Sequence, residues 1–168
     1  MLAQRFSAGG VAIFERQSRR DDAVMPHTYA SNFVHCIFST KDRRPLIRPE
    51  RMPELFAFFG AVAKGEGFEL IVAGGTANHV HLLFVLPATQ SLAYAVQKLK
   101  GSSSRFMGGS FSWQQGYGAF SVSPSQVPIV KKYIQNQEQH HRKQNFEEEF
   151  TTMLRSCGIA YDERYVFG

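Results

Sequence analysis

Apolar and polar positions divide the chain into short segments with clear stops. Residues 31–39 are apolar and β-rich through Phe33, Val34, Cys36, Ile37 and Phe38, and the polar stretch 41–45 closes them, so a strand is predicted there. From about residue 51 to 66, Leu55, Phe56, Phe58, Phe59, Val62 and Ala63 recur at helical spacing, with Gly65 and Gly67 as the stop. Residues 68–73 read as a second strand, Gly74-Gly75 as a turn, and 79–86 as a third strand ended by Pro87. A short glycine-containing connection makes those two strands an antiparallel pair. A second helix begins at Ser91 and places Leu92, Ala95, Val96 and Leu99 on one face; Gly101-Ser102-Ser103-Ser104 is expected to weaken or end it. A glycine- and aromatic-rich stretch (108–118) leads to a short strand at 119–122. A third helix opens at Pro124 or Ser125 and carries Val130, Tyr133, Ile134 and Gln137. The last helix spans 145–156 with the stripe Phe146, Phe150, Met153 and Leu154, and Gly158 ends it. The order β-α-β-β-α-β-α-α predicts an α+β fold, one antiparallel sheet with helices packed on it. No repeat or long linker interrupts residues 25–168, which are expected to form one domain starting at Met25. Residues 1–24 differ in character and are expected to be an N-terminal extension, either disordered or a misassigned start.

Composition narrows the class. Of 168 residues, 43% are hydrophobic and 20% charged, which suffices for a core and argues against disorder as the default. Aromatics reach 13%, most of them Phe. A Phe-rich core accounts for that, and base stacking on a few exposed rings is the sharper alternative. The net charge of +5 fits a polyanionic partner without requiring one. The two cysteines, Cys36 and Cys157, form no CxxC pair, which excludes a cysteine zinc site. Cys36 lies in an apolar run and is expected to be a buried thiol in a reducing compartment. No apolar stretch reaches the roughly 18 residues of a membrane span.

The candidate chemistry lies in two segments. His79 and His81 are two apart on a predicted strand, so they share one face while Val80 takes the other. Paired imidazoles suit a divalent metal. Two strand histidines are nevertheless more often solvated or core residues than ligands, and the pair alone leaves both readings open. Tyr133 and Gln137, four apart on the predicted third helix, share a face. That spacing alone fits an ordinary amphipathic helix better than a catalytic pair. A tyrosine with a free pKa of about 10 is a poor nucleophile. It needs a cation or metal to hold its target phosphate and stabilise charge, and the histidine pair would supply one.

Three runs resemble one family: Phe38-Ser39-Thr40-Lys41-Asp42-Arg43-Arg44-Pro45, Asn78-His79-Val80-His81-Leu82-Leu83, and Val130-Lys131-Lys132-Tyr133-Ile134-Gln135-Asn136-Gln137. They are similar to the single-tyrosine HUH transposases of small bacterial insertion sequences, which include relatives associated with repeated extragenic palindromes. The stretch from Trp113 to Val122, and Gln139-His140-His141-Arg142-Lys143 with the following Asn145-Phe146-Glu147-Glu148-Glu149-Phe150, look like the same family. The resemblance spans roughly residues 29–157 and leaves residues 1–24 without a counterpart.

The resemblance implies a ferredoxin-like or RRM-like sheet with the histidine pair on a central strand and the tyrosine on a helix in the C-terminal half. It implies a divalent metal, Mg or Mn, held by His79 and His81 with Gln137 as third ligand; an amide oxygen suits such hard ions. Tyr133 would attack a scissile phosphate in single-stranded DNA, leaving a 5′-phosphotyrosine and a free 3′-hydroxyl. The implied enzyme is a metal-dependent nickase and strand transferase that cuts and rejoins hairpin-bearing ends. It would work as a homodimer, with the tyrosine helix in cis or swapped, in the bacterial cytoplasm and associated with the nucleoid. The alternative is a non-catalytic or domesticated hairpin-binding module on the same fold. Lys41, Arg43, Arg44, Lys98, Lys100, Arg105, Lys131, Lys132, Arg142 and Lys143 are candidates for the DNA backbone, although charge runs are usually solvated faces. His140 and His141 read as surface histidines, with a phosphate or glutamate partner as the alternative. Trp113 and Tyr117 could stack bases, line a dimer interface or pack in the core.

Overall fold

The computed structural model describes residues 29–141 and 145–167. The proposed extension at 1–24, the domain start at 25, and the basic Arg142 and Lys143 lie outside the described residues. Strands β1 (Asn32–Ser39), β2 (Glu69–Thr76), β3 (His79–Leu86) and β4 (Gly118–Val122) pair antiparallel in the order β2-β3-β1-β4. Helix α1 (Met52–Gly65) joins β1 to β2, and α2 (Leu92–Met107) joins β3 to β4. This is the β-α-β-β-α-β arrangement of a ferredoxin-like sandwich. Three further helices follow: α3 (Val127–Gln135), α4 (Gln137–His141) and α5 (Phe146–Ser156). Among the described residues, no helix is long and apolar enough to cross a membrane.

The two-residue alternation of β3 assigns the faces of the sheet. Val80, Leu82 and Phe84 join Cys36 and Phe38 of β1 on one face, and α1 and α2 cover them with Leu55, Phe59, Ala63, Ala95, Val96 and Leu99. That face is one continuous apolar cluster. On the other face the apolar contacts split in two. Ile37 and Phe120 meet Phe146, Phe150 and Leu154 of α5. Leu83 and Val122 meet Ile134 of α3. The candidate site lies on this second face.

Three local features differ from the sequence expectations. Gly74 and Gly75 are strand residues, paired with His81 and Val80, and the turn falls at Ala77-Asn78. A Cβ on Gly74 would run into the carbonyl oxygen and side chain of Ile134, so the glycine admits the α3 backbone against β2. Helix α2 continues through Gly101-Ser102-Ser103-Ser104 to Met107. Buried Ser103 donates to the Leu99 carbonyl (2.6 Å) and accepts from Trp113 Nε1 (2.9 Å), so tertiary contacts hold the helix where its sequence weakens. The third predicted helix is broken: α3 ends at Gln135, and Asn136 (φ −103°, ψ 21°) separates Tyr133 from Gln137, which opens α4. At the other end of this layer, Asn145 and Glu148 form a reciprocal capping box that starts α5.

A buried histidine, glutamate and tyrosine site

His79 and His81 point from β3 into the second face and are fully buried. His79 Nδ1 lies 2.8 Å from Asn78 Oδ1, which accepts, so the proton sits on Nδ1 and the Nε2 lone pair turns inward. Thr76 Oγ1 donates to the same Asn78 oxygen at 3.0 Å and fixes it. His81 Nδ1 lies 3.0 Å from Nε2 of His35, a buried residue of β1. A bond in which His81 donates would orient its Nε2 in the same way. Burial, and then the neighbouring His81, lower the His35 pKa to about 3. Burial, and then His81 and His141, hold His79 well below the usual imidazole range. These rings are therefore neutral bases, the form that offers a lone pair.

From the opposite side, α5 contributes Glu149, which is only 6% exposed. Its Oε1 accepts from the Tyr133 hydroxyl and from Gln137 Nε2, the latter at 3.1 Å. Its Oε2 lies 2.9 Å from His141 Nε2, 3.6 Å from His81 Nε2 and 3.9 Å from His79 Nε2. Burial pushes the Glu149 carboxyl up to about 7. The Tyr133 ring stands edge-on to His81 and to His35. Beside it opens a cavity of about 400 Å³ lined by His35, Val130, Tyr133, His141, Glu149 and Met153, among others.

The four residues singled out in the sequence therefore converge, although they come from β3, α3 and α4. Gln137 is 1% exposed, and its Oε1, like His79 Nε2, is buried without a hydrogen-bond partner. Two buried acceptors left without donors are unfavourable by about 1–3 kcal/mol each, and a cation would relieve both. The donor set therefore fits a divalent metal. Sequence reasoning missed Glu149 and His35; His141, expected at the surface with a glutamate partner as the alternative, is half-buried against Glu149, so the alternative holds. Glu149 falls three residues after Phe146 and one before Phe150, on the apolar stripe of α5, and that offset was the available signal.

The basic candidates divide. Arg43 is engaged within the chain: Nε lies 2.7 Å from Glu147 Oε1, Nη1 donates to the Phe167 carbonyl at 3.1 Å, and the guanidinium covers the Phe167 ring. Lys98 pairs with Glu66 at 3.1 Å, and Lys100 donates to the Gln114 carbonyl at 2.7 Å. Lys41, Arg44, Arg105, Lys131 and Lys132 are exposed. Trp113 is a core residue bonded to Ser103, whereas Tyr117 is exposed.

Comparison with known proteins places the chain in a class. Residues 28–137 match the family described as transposase IS200 like. The chain is 29% identical over 115 residues to the ISDra2 transposase TnpA of Deinococcus radiodurans, covering 61% of this chain and 81% of that protein. A crystal structure of a protein from Deinococcus radiodurans R1 assigned as a transposase superposes with a TM-score of 0.55 at 25% identity, over 70% of this chain and 98% of the other. A REP-associated tyrosine transposase bound to a REP hairpin shares the fold, with a TM-score of 0.53 at 14% identity over 68% and 71% of the two chains. The α+β sandwich is thus that of a DNA transposase. The chain belongs to the IS200-like transposase family. The matched segment stops at Gln137, so His141 and Glu149 lie beyond it.

Proposed function

We propose that this transposase cuts and rejoins single-stranded DNA at hairpin-bearing ends through Tyr133, with a divalent ion, Mg or Mn, on His79, His81 and Gln137. One observation carries the reading: the Tyr133 hydroxyl and the Gln137 amide both bond the Glu149 carboxylate, which faces the buried Nε2 of His79 and of His81. An ion held there would draw charge from a bound phosphate. Tyr133 Oη forms the new bond to phosphorus, the bond from phosphorus to the 3′ oxygen breaks, and a 3′-hydroxyl is released. The phosphotyrosine conserves one phosphodiester, so the reverse attack by a 3′-hydroxyl rejoins DNA without ATP. Asn78 and Thr76 keep His79 in one tautomer, and His35 does the corresponding work for His81. Lys41, Arg44, Arg105 and Lys132 offer exposed charge for the DNA backbone. The hairpin preference is carried over from the hairpin-bound structural relative. A homodimer, cytoplasmic and nucleoid-associated, is the assembly that fits this reading.

The test is to incubate the full chain with single-stranded DNA that bears a hairpin end, with Mg or Mn. A covalent protein–DNA adduct that survives denaturation is expected. Tyr133→Phe should abolish the adduct and retain binding. Cleavage that persists in Tyr133→Phe without an adduct would show that water is the nucleophile and overturn the assignment.

A further inference from the structure

We infer that His141 and Glu149 belong to the metal centre, completing a three-imidazole, one-carboxylate site that selects a first-row transition ion over Mg and pins α4 and α5 to the sheet. This rests on the proposed metal role of His79 and His81. Three observations carry it. The candidate ligand atoms of His79, His81, His141 and Glu149 all lie within 4.8 Å of one another. Oε2 of Glu149 stands 2.9, 3.6 and 3.9 Å from the three Nε2 atoms. Ligand atoms that share one ion at about 2.1 Å stand about 3–4 Å apart, so these spacings fit a common ion, and expanded coordination leaves positions for Gln137 and a phosphate oxygen. His79 Nε2 is fully buried, has no hydrogen-bond partner, and lies on the side of its ring facing Glu149.

The donor chemistry sets the ion. Mg demands oxygen ligands in near-ideal octahedral geometry and keeps its waters, whereas imidazole suits Mn less than Co or Zn but far better than it suits Mg. Three imidazoles with one carboxylate therefore favour Zn, Co or Mn. The two oxygens of Glu149 divide the work: Oε2 faces the imidazoles, while Oε1 holds the Tyr133 hydroxyl and the Gln137 amide. The same carboxylate thus connects the ion to the nucleophile. His141 and Glu149 both fall after the segment matched by the family, residues 28–137.

The test uses the full chain stripped with a chelator and titrated with Mn, Zn or Mg alone. Wild type should bind one Mn, Zn should bind more tightly, and Mg should be weakest. Glu149→Gln and His141→Ala should each lower Mn affinity by about tenfold or more and reduce the metal-induced rise in melting temperature. Pulsed electron paramagnetic resonance of bound Mn should count three coordinated imidazole nitrogens in wild type and two in His141→Ala. Two nitrogens in wild type, or unchanged Mn affinity in both folded variants while His81→Ala loses binding, would overturn the inference and leave the histidine-pair reading standing. Absence of any Mn or Zn binding by wild type would overturn both.

Discussion

The two faces of the sheet are built from alternate residues of the same strands, and they are put to opposite uses. Toward α1 and α2, Val80, Leu82 and Phe84 enter one apolar cluster that also takes in Cys36, Phe38 and Trp113. Toward α3 and α5, His79 and His81 enter a polar centre walled by two small apolar clusters. Burial on the first face is favourable at about 25 cal/mol per Å² of apolar surface. On the second face, burying imidazoles and a carboxylate is unfavourable unless each finds a partner. The difference shows that the dry face holds the fold together and allows the other to carry groups that do not favour it.

Adjacent residues of β3 give the sharpest way to break that comparison. His81→Ala should lower adduct formation by about a hundredfold or more, because it removes both a candidate ligand and the partner of His35. Leu82→Ala should lower unfolding free energy by about 2–5 kcal/mol, read from the urea midpoint. The protein that remains folded should still form the adduct. If Leu82→Ala abolished chemistry at full stability, the separation of the two faces would fail.

Two glycines separate the faces by a smaller margin. Gly74→Ala puts a methyl group against the Ile134 backbone and must push α3, with Tyr133, away from β2. A loss of about 1–3 kcal/mol is expected, together with slower adduct formation. Gly60, within α1, has nothing near the position of an added Cβ. Gly60→Ala should leave the adduct rate unchanged and raise stability by up to about 1 kcal/mol, as for any helix-interior glycine without a steric constraint.

These glycines also show where the sequence could be read and where it could not. The β3 alternation and the helical spacing of Leu55, Phe59 and Ala63 are local signals, and the sheet and its dry face follow from them. Gly74-Gly75 read as a turn because the reason for a glycine there, the backbone of a helix sixty residues later, leaves no local mark. Gly101-Ser102-Ser103-Ser104 was expected to weaken or end the second helix because the partner that steadies Ser103 is a tryptophan in the following loop. Glu149 was hidden among three consecutive glutamates that suit a solvated helix N-terminus. Only its offset against Phe146 and Phe150 distinguishes it from Glu147 and Glu148. The resemblance identified Tyr133 and Gln137 as partners but gave no sign of the break at Asn136 between them.

Within the dry layer, Ser103→Ala should leave Trp113 Nε1–H buried and unpaired. The expected loss is about 1–3 kcal/mol, seen as a lower melting temperature with the adduct rate retained. Ser103→Thr, which keeps the oxygen, should recover part of it.

The smallest expected effect lies in the two thiols, and it reads the dry face without perturbing it. Cys36 is fully buried on β1, and burial raises its thiol to about 12 from an ordinary value of 9.0, against a smaller lowering by Lys100. Cys157, at the end of α5, is exposed. Alkylation of the native protein at mildly basic pH should therefore stop at one equivalent, on Cys157, and reach two only in denaturant. Cys36 faces two barriers, access and ionisation, and both disappear on unfolding. Its labelling rate should follow the unfolding free energy and fall with every stabilising change on that face. The sign with pH is set by the raised value. The unfolded thiol ionises near 9.0 while the folded one stays protonated, so this group's stabilisation is complete below that pH. It declines as pH rises toward the folded value of about 12. Rapid native labelling of Cys36 would mean that the α1–α2 layer opens locally, and the contrast between a rigid dry face and a chemical one would then have to be abandoned.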